Sequence, residues 1–289
     1  MKSKTVAEVR GFPKASPGAL YLLATPIGNL EDITLRAVRI LGEVDLIACE
    51  DTRQTQKLLN HFQIVKPTTS YQEHNEMVKA PELVMRMEEG ARVALVADAG
   101  TPGISDPGYR LVQQCIRHNV PVIPIPGVSA AVASLVASGL PTHSFQFLGF
   151  APAKQGQRLK FLERLSAFPS TMVFFEAPHR ITETLADVLE VLGDRPVVLA
   201  REVTKVHEEF LRGPCSEVLE NLRQRSKIQG EMTVLIGGAQ EEPVAAPQSV
   251  KERVQELMQA QEIDRMEALK AVARERHISK SQAYREYQS

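Results

Sequence analysis

Residues 93–108 read Val-Ala-Leu-Val-Ala-Asp-Ala-Gly-Thr-Pro-Gly-Ile-Ser-Asp-Pro-Gly, and no other stretch narrows the possible folds as far. Five apolar residues in a row suit a strand buried on both faces. The next eleven hold three Gly, two Pro and two Asp. Glycine lets backbone groups approach a ligand closely, and each proline fixes φ. A rigid polar loop at the carboxyl end of a buried strand is where open α/β sheets bind ligands. An ordinary strand-to-helix turn needs only one or two such residues.

The same grammar recurs along the chain. Apolar runs at 20–24, 44–49, 92–97 and 120–125 predict strands, and 30–41, 55–62, 81–89 and 109–118 predict helices between them. That alternation predicts an α/β fold with a parallel sheet. A second set of strands is expected at 146–150, 171–175, 197–200, 208–212 and 232–236, with helices at 157–165, 180–192 and 215–223. At 289 residues the length prior is about two domains. The expected boundary is Pro126–Gly127, which divides the body into α/β domains 18–126 and 127–240. Residues 241–248 read as a linker by composition. Beyond it, helices at 250–259, 265–276 and 279–287 are expected, the last with Ser279 as N-cap. The short break at His277–Ile278 suggests a helix-turn-helix-like tail over 249–289. That tail holds eight Lys/Arg and seven Asp/Glu. Packing on the body or on a partner subunit and contact with nucleic acid are therefore equal readings of it.

Composition removes several classes of function. Net charge is −1, so any nucleic-acid site must be a local basic patch. Cys49, Cys115 and Cys215 form no C-x-x-C pair, which argues against a disulfide framework or zinc ribbon and for a reducing, cytoplasmic setting. The seven histidines show no metal-ligand spacing, so no metal is expected. Residues 1–16 lack the apolar core of a signal peptide. The longest stretch without charged residues, 118–153, is broken by Pro and Gly. Its helical part, 128–140, falls short of the ~20 residues of a membrane span. Trp is absent and 5% of residues are aromatic, which disfavours an aromatic base-stacking platform.

Six polar loops follow predicted strands, at 25–30, 50–53, 98–108, 126–131, 176–180 and 201–205. A sheet would gather many of them along one edge, as a binding cleft requires. No G-x-G-x-x-G or G-x-x-x-x-G-K-[ST] is present, so neither a dinucleotide fingerprint nor a P-loop is supported. The Gly127–Ser129 turn would aim backbone N–H groups from a helix N-terminus, a setting for carboxylate or phosphate. Phe174 and Phe175 could each flank an adenine or sit in the core.

Four of these segments carry a resemblance. Thr-Pro-Ile-Gly-Asn-Leu at 25–30, Glu-Asp-Thr-Arg at 50–53, the 98–108 loop and Pro-Gly-Val-Ser-Ala at 126–130 resemble the tetrapyrrole methylase superfamily. The first two resemble its RNA-modifying rather than its corrin-ring branch. Phe-Glu-Ala-Pro-His-Arg at 175–180, Arg-Glu-Val-Thr-Lys at 201–205 and Gly-Glu-Met-Thr at 230–233 extend the match, which covers about 18–237. Val128 stands where Pro is common and Ala177 where Ser is common, and neither position supplies a reacting group. The resemblance implies two α/β domains with S-adenosylmethionine in the cleft between them, a homodimer, and 2′-O-methylation of a cytidine ribose in the decoding region of 16S rRNA in the small ribosomal subunit. It implies that Pro26 and Ile27 line the first loop's side of the cofactor. Asp98, Gly100, Thr101 and Ile104 would hold its methionine and ribose. Ser129 and Ala130 would contact it through backbone, and Phe175, Glu202 and Met232 would surround the adenine.

Methyl transfer to oxygen is an in-line displacement, so the protein mainly aligns the reactants. A ribose hydroxyl is a weak acid and needs a proton acceptor. Glu50, Asp51, Glu176, Glu202 and Lys205 are the candidates at strand ends, and Lys205 would need a depressed pKa. For each carboxylate the alternative is a salt bridge that orients an arginine. Arg53, His179 and Arg180 are candidate phosphate contacts. Lys154, Arg158, Lys160 and Arg164 form the densest basic stretch, either a phosphate track or a solvated helix face. Two other functions remain open on sequence: a tetrapyrrole or protein acceptor, and an RNA-binding assembly factor without catalysis.

Overall fold

The computed structural model describes residues 18–239, 249–261, 263–276 and 278–288. The predicted linker at 241–248 and the reading of residues 1–16 lie outside them. Residues 18–239 belong to one compact unit and the tail to another.

The first unit holds two five-stranded sheets. In the first, β1 (Ala19–Leu23), β2 (Leu46–Cys49), β3 (Thr68–Ser70), β4 (Arg92–Val96) and β5 (Val122–Ile125) are all parallel, in the order β3-β2-β4-β1-β5. Side chains alternate between faces along a strand. Ile47, Cys49, Ala94 and Val96 pack with Ala37, Ile40 and Leu41 of α1 (Leu35–Glu43) and Leu59 of α2 (Thr52–His61). Leu46, Ala48, Val93 and Leu95 pack the other way, against Leu83 and Met87 of α3 (Glu76–Glu88) and Leu111 of α4 (Tyr109–Arg117). Burial on both faces explains why these strands read as continuous apolar runs.

The second sheet is mixed, in the order β6-β7-β10-β8-β9. β6 (Phe145–Phe150) runs parallel to β7 (Thr171–Glu176). β10 (Met232–Ile236) lies antiparallel between β7 and β8 (Pro196–Arg201), and β9 (Glu209–Pro214) lies antiparallel to β8. One face carries α6 (Gln155–Glu163), α7 (Ile181–Leu192) and α8 (Cys215–Arg223). The other carries α5 (Ala130–Ser138), whose Ala131 and Leu135 pack on Val173, Val198, Ala200 and Leu235.

Several elements differ from the sequence reading. The expected helix at 30–41 is a 3₁₀ turn at Leu30–Asp32 followed by α1, because Thr34 accepts a hydrogen bond from Ala37 N at 3.1 Å and caps a new start. The helix expected from 55 begins at Thr52, where Asp51 caps it through Arg53 N at 2.8 Å. The helix expected from Pro81 begins at Glu76, with Pro81 inside it. Its start is tied down by a tertiary contact: the Glu76 carboxylate accepts from Gly108 N at 3.0 Å. The short strand β3 was not expected.

The tail comprises α9 (Val250–Gln261), α10 (Arg265–Glu275) and α11 (Lys280–Gln288) around its own core of Val254, Leu269, Val272 and Ala283. Ser279 Oγ accepts from Gln282 N at 3.2 Å, the capping expected of it.

Candidate functional site

The strand order of the first sheet creates a switch point. β1 is followed by β2 on one side, whereas β4 is followed by β5 across β1, so the connections after β1 and β4 leave toward opposite edges of the sheet, the place where open α/β sheets bind ligands. The two loops are stitched together. Thr25 N donates to Gly100 O and Gly100 N to Thr25 O, both at 2.9 Å, while Thr25 Oγ1 donates to Ala97 O at 3.1 Å. In the second sheet, β10 runs antiparallel between β7 and β8, so its start lies beside their ends. Met232 is in register with Glu176 and with Arg201.

A cavity of about 360 Å³ lies between these loop sets. Of the residues read from sequence as cofactor contacts, Ile27, Asp98, Gly100, Thr101, Ile104, Ser129, Ala130, Phe175 and Met232 line it. Pro26 and Glu202 do not. Phe174 is a core residue at 1% exposure, whereas Phe175, its neighbour on the opposite face of β7, lines the cavity edge-on to Phe150 at 5.5 Å. The lining also includes Ser105, Asp106, Gly230 and Glu231, which lie in the 98–108 loop and the 230–233 segment but were given no individual role from sequence. Asp106 sits inside the loop already singled out, and its place in that loop was the available signal.

Four carboxylates line the cavity, from Asp98, Asp106, Glu176 and Glu231, and among the described residues no Lys, Arg or His lines it. This wall suits a cationic ligand. At one end, α5 starts with Ser129 as N-cap, and that side chain makes no capping bond, so the helix N-terminus faces the cavity with its first N–H groups free to take a carboxylate. Apolar Ile27, Ile104, Phe150, Phe175 and Met232 supply the remaining walls.

The acid and base candidates separate by partner. Asp51 caps α2 and pairs with Arg53 at 2.7 Å, and this hydrogen bonding holds its carboxyl down at about 2, a poor proton acceptor. Glu176 is fully used. Oε1 accepts from Ala177 N at 2.7 Å and from Arg180 at 2.6 Å, and Oε2 accepts from the Thr184 hydroxyl at 2.7 Å. Arg180 is thus an anchor for Glu176 rather than a free phosphate contact. Glu202 accepts from Lys205 Nζ and from Glu231 N, both at 2.8 Å, and the Lys205 bond leads in lowering its pKa.

Lys205 does not meet the requirement for a base. Burial pulls its pKa down, but hydrogen bonds and charge from Glu202 and Glu231 outweigh that and leave it raised. Its stem instead crosses Gly28 so closely that a Cβ there would collide with Lys205 Cγ. Lys205 therefore ties the loop after β8 to the loop after β1.

Glu50 and Asp106 remain. Burial raises both, helped by Asp98 and, for Asp106, by Glu50, so that Asp106 stands at about 6. Asp98 Oδ1 accepts from Asp51 N at 3.0 Å. Asp106 is a cavity carboxylate whose side chain makes no hydrogen bond or ion pair with any described residue. Its raised pKa makes it the candidate proton acceptor among the carboxylates that line the cavity.

The basic stretch of the sequence divides. Lys154, Lys160 and Arg164 are exposed, but Arg158 is 1% exposed and its Nε donates to Asp187 Oδ2 at 2.6 Å. A buried arginine paired in this way cannot meet a phosphate, so Arg158 is a correction to the sequence reading. Arg53 and His179 are exposed.

Gly100 has φ +86, and a Cβ there would meet Ile27 at 3.4 Å and the Val128 carbonyl oxygen at 3.9 Å, both ordinary contacts. Its glycine is demanded by conformation more than by crowding. Gly100→Val is expected to distort the Thr25–Gly100 bridge and weaken cofactor binding at least 10-fold by calorimetry. Unchanged affinity would show that the bridge does not shape the site.

The chain matches the Tetrapyrrole (Corrin/Porphyrin) Methylases family over residues 19–219. It belongs to that family. It is 47% identical over 278 residues to ribosomal RNA small subunit methyltransferase I of Halalkalibacterium halodurans, covering 93% of this chain and 94% of the other. It is 44% identical over 270 residues to the protein of the same name from Synechocystis sp., covering 92% and 96%. Among solved structures, the methyltransferase CobJ aligns at TM-score 0.58 and 20% identity, over 77% of this chain and 95% of that one. Uroporphyrin-III C-methyl transferase from Thermus thermophilus, complexed with S-adenyl homocysteine, aligns at 0.53 and 21%, over 76% and 97%. These likenesses extend the methylase fold to this chain. Among the described residues, no helix of this methylase is long and apolar enough to cross a membrane.

Proposed function

We propose that this methylase transfers the methyl group of S-adenosylmethionine to the ribose 2′-oxygen of a cytidine in the decoding region of 16S rRNA. The acceptor is supported by the relatives' name and by identity across nearly the whole of both chains. The transfer chemistry is carried by one observation: a cavity lined by Asp98 and by Asp106, whose side chain has no partner among the described residues.

The residues present fit the cofactor. The N-terminus of α5 at Ser129 and Ala130 would take its carboxylate, and Asp98 would face its positive charge. Phe175, Phe150 and Met232 would flank its adenine. When bound, S-adenosylmethionine supplies a methyl group on a sulfonium whose leaving group is neutral. The chain's own contribution is orientation, exclusion of water and proton acceptance at Asp106. Asp106 takes the proton of the ribose hydroxyl as oxygen attacks, and Glu50 raises its basicity through like charge. Of the RNA contacts in the sequence reading, Lys154, Lys160, Arg164 and His179 remain as exposed candidates, with Arg53 exposed but paired with Asp51.

The division between the two halves falls at Pro126–Gly127 on this reading, because α5 packs on the second sheet. A homodimer in the cytoplasm completes it, with Val132 and Val136 exposed on α5 as the apolar contact. The test is incubation with labelled cofactor and either undermethylated small ribosomal subunits or a tetrapyrrole. Label in the cytidine ribose is expected. Label in the tetrapyrrole alone would replace the acceptor, and no cofactor binding by calorimetry would leave a non-catalytic RNA-binding factor.

A further inference from the structure

An open groove of about 580 Å³ adjoins the cavity, and Pro178 lines both. Three elements distant in sequence build it. His179 precedes α7, Arg223 ends α8, and Lys227 follows it. All three side chains are exposed, and none forms a hydrogen bond or ion pair with another described residue. A second arginine, Arg225, is withdrawn from the surface, because its guanidinium donates twice to Glu209 at 2.8 and 2.6 Å. The acid in the groove is Glu183, whose carboxylate lies 3.9 Å from the Arg158 guanidinium and is partly compensated by it. The hydroxyls of Thr182 and Ser226 add neutral donors.

We infer that this groove seats the RNA phosphate beside the target nucleotide, with Arg223 and Lys227 as its principal contacts and His179 at the edge nearest the cavity. The inference rests on the RNA-acceptor reading. A ribose that reaches the cavity must carry its backbone out over the rim, and Pro178 is the rim shared with a groove that holds the unpaired Arg223 and Lys227. Phosphate contacts position a nucleic acid without reading its sequence. That is what a methylase needs to hold one ribose oxygen in line. The basic stretch on α6 serves this purpose less well, since Arg158 is spent on Asp187.

The experiment uses the full chain with Arg223→Gln and Lys227→Gln together, and a control with Lys57→Gln and Arg117→Gln on helices of the first sheet. Methylation of undermethylated small subunits is followed against subunit and salt concentration. The groove variant should raise KM and reduce the log–log salt slope by ~0.7 to 0.9 for each lost contact. Its kcat at saturating subunit and its cofactor affinity should match the parent, and the control should keep the parent slope. A groove variant with the parent KM and slope would overturn the inference, and so would a control that loses as much slope. If the parent does not methylate subunits, the acceptor reading fails separately. The groove is then tested by anisotropy with a labelled 16S decoding-region hairpin, where an unchanged slope overturns it.

Discussion

Asp106→Asn is expected to remove 10²–10⁴-fold of kcat while leaving cofactor affinity within a few-fold of the parent, the range that general acid–base catalysis spans. Asp51, Glu176 and Glu202 each hold a cation, a helix start or a loop, whereas Asp106 faces the cavity without a partner. Burial and the charges of Glu50 and Asp98 lift its pKa to about 6, so activity should fall as pH drops through about 6, where the carboxylate is protonated. Stability runs the other way. A carboxyl whose folded pKa exceeds its unfolded value costs nothing below about 4. It destabilises increasingly as pH rises from there to 6, and the full cost remains above that. Asn removes the cost, so the variant should be more stable at pH 8, by at most about 3 kcal/mol at 1.36 kcal/mol for each pKa unit. A dead, more stable enzyme with intact cofactor binding is the expected signature. A variant with parental kcat across pH 5–8 would move the proton acceptor elsewhere, first to Glu50.

Arg158→Gln is expected to cost about 3–5 kcal/mol of folding stability by urea unfolding, the range for removing one partner of a buried ion pair. Arg158 and Asp187 lie at 1% and 3% side-chain exposure with nitrogen and oxygen 2.6 Å apart. Gln155 adds a bond to Asp187 at 3.1 Å, and Arg158 Nη1 donates to Ala153 O at 3.3 Å. Removing the guanidinium strands the Asp187 carboxylate between α6 and α7. Replacing both residues with Leu should recover most of the loss, because a buried pair contributes little beyond an apolar pair of similar volume. The salt dependence of RNA binding should not change in variants that remain folded. A single-variant loss under 1 kcal/mol, with a lowered salt slope, would return Arg158 to the RNA surface.

Arg158 also shows where reading the chain residue by residue stops. Lys154, Arg158, Lys160 and Arg164 look alike in sequence. What separates Arg158 is Asp187 on another helix, 29 residues away. Asp106 shows the reverse. Its loop was conspicuous, but its lack of a partner and the nearness of Glu50 and Asp98 exist only once the ends of β2 and β4 lie side by side. The same holds for the groove, whose donors come from residues 179, 223 and 227.

Local chemistry set what lies near in sequence: the buried parallel strands, through their apolar runs; the loops after β1 and β4, through Gly and Pro; and the start of α11, through Ser279. It did not set the antiparallel insertion of β10 between β7 and β8, which places Met232 beside Glu176. Nor did it set the break at Thr34 or the continuation of α3 through Pro81. The physical reason is range. Propensity, capping and turn preferences act over a few residues, whereas the partner that decides whether a charge is a base, an anchor or a phosphate contact is chosen by packing between elements far apart in the chain.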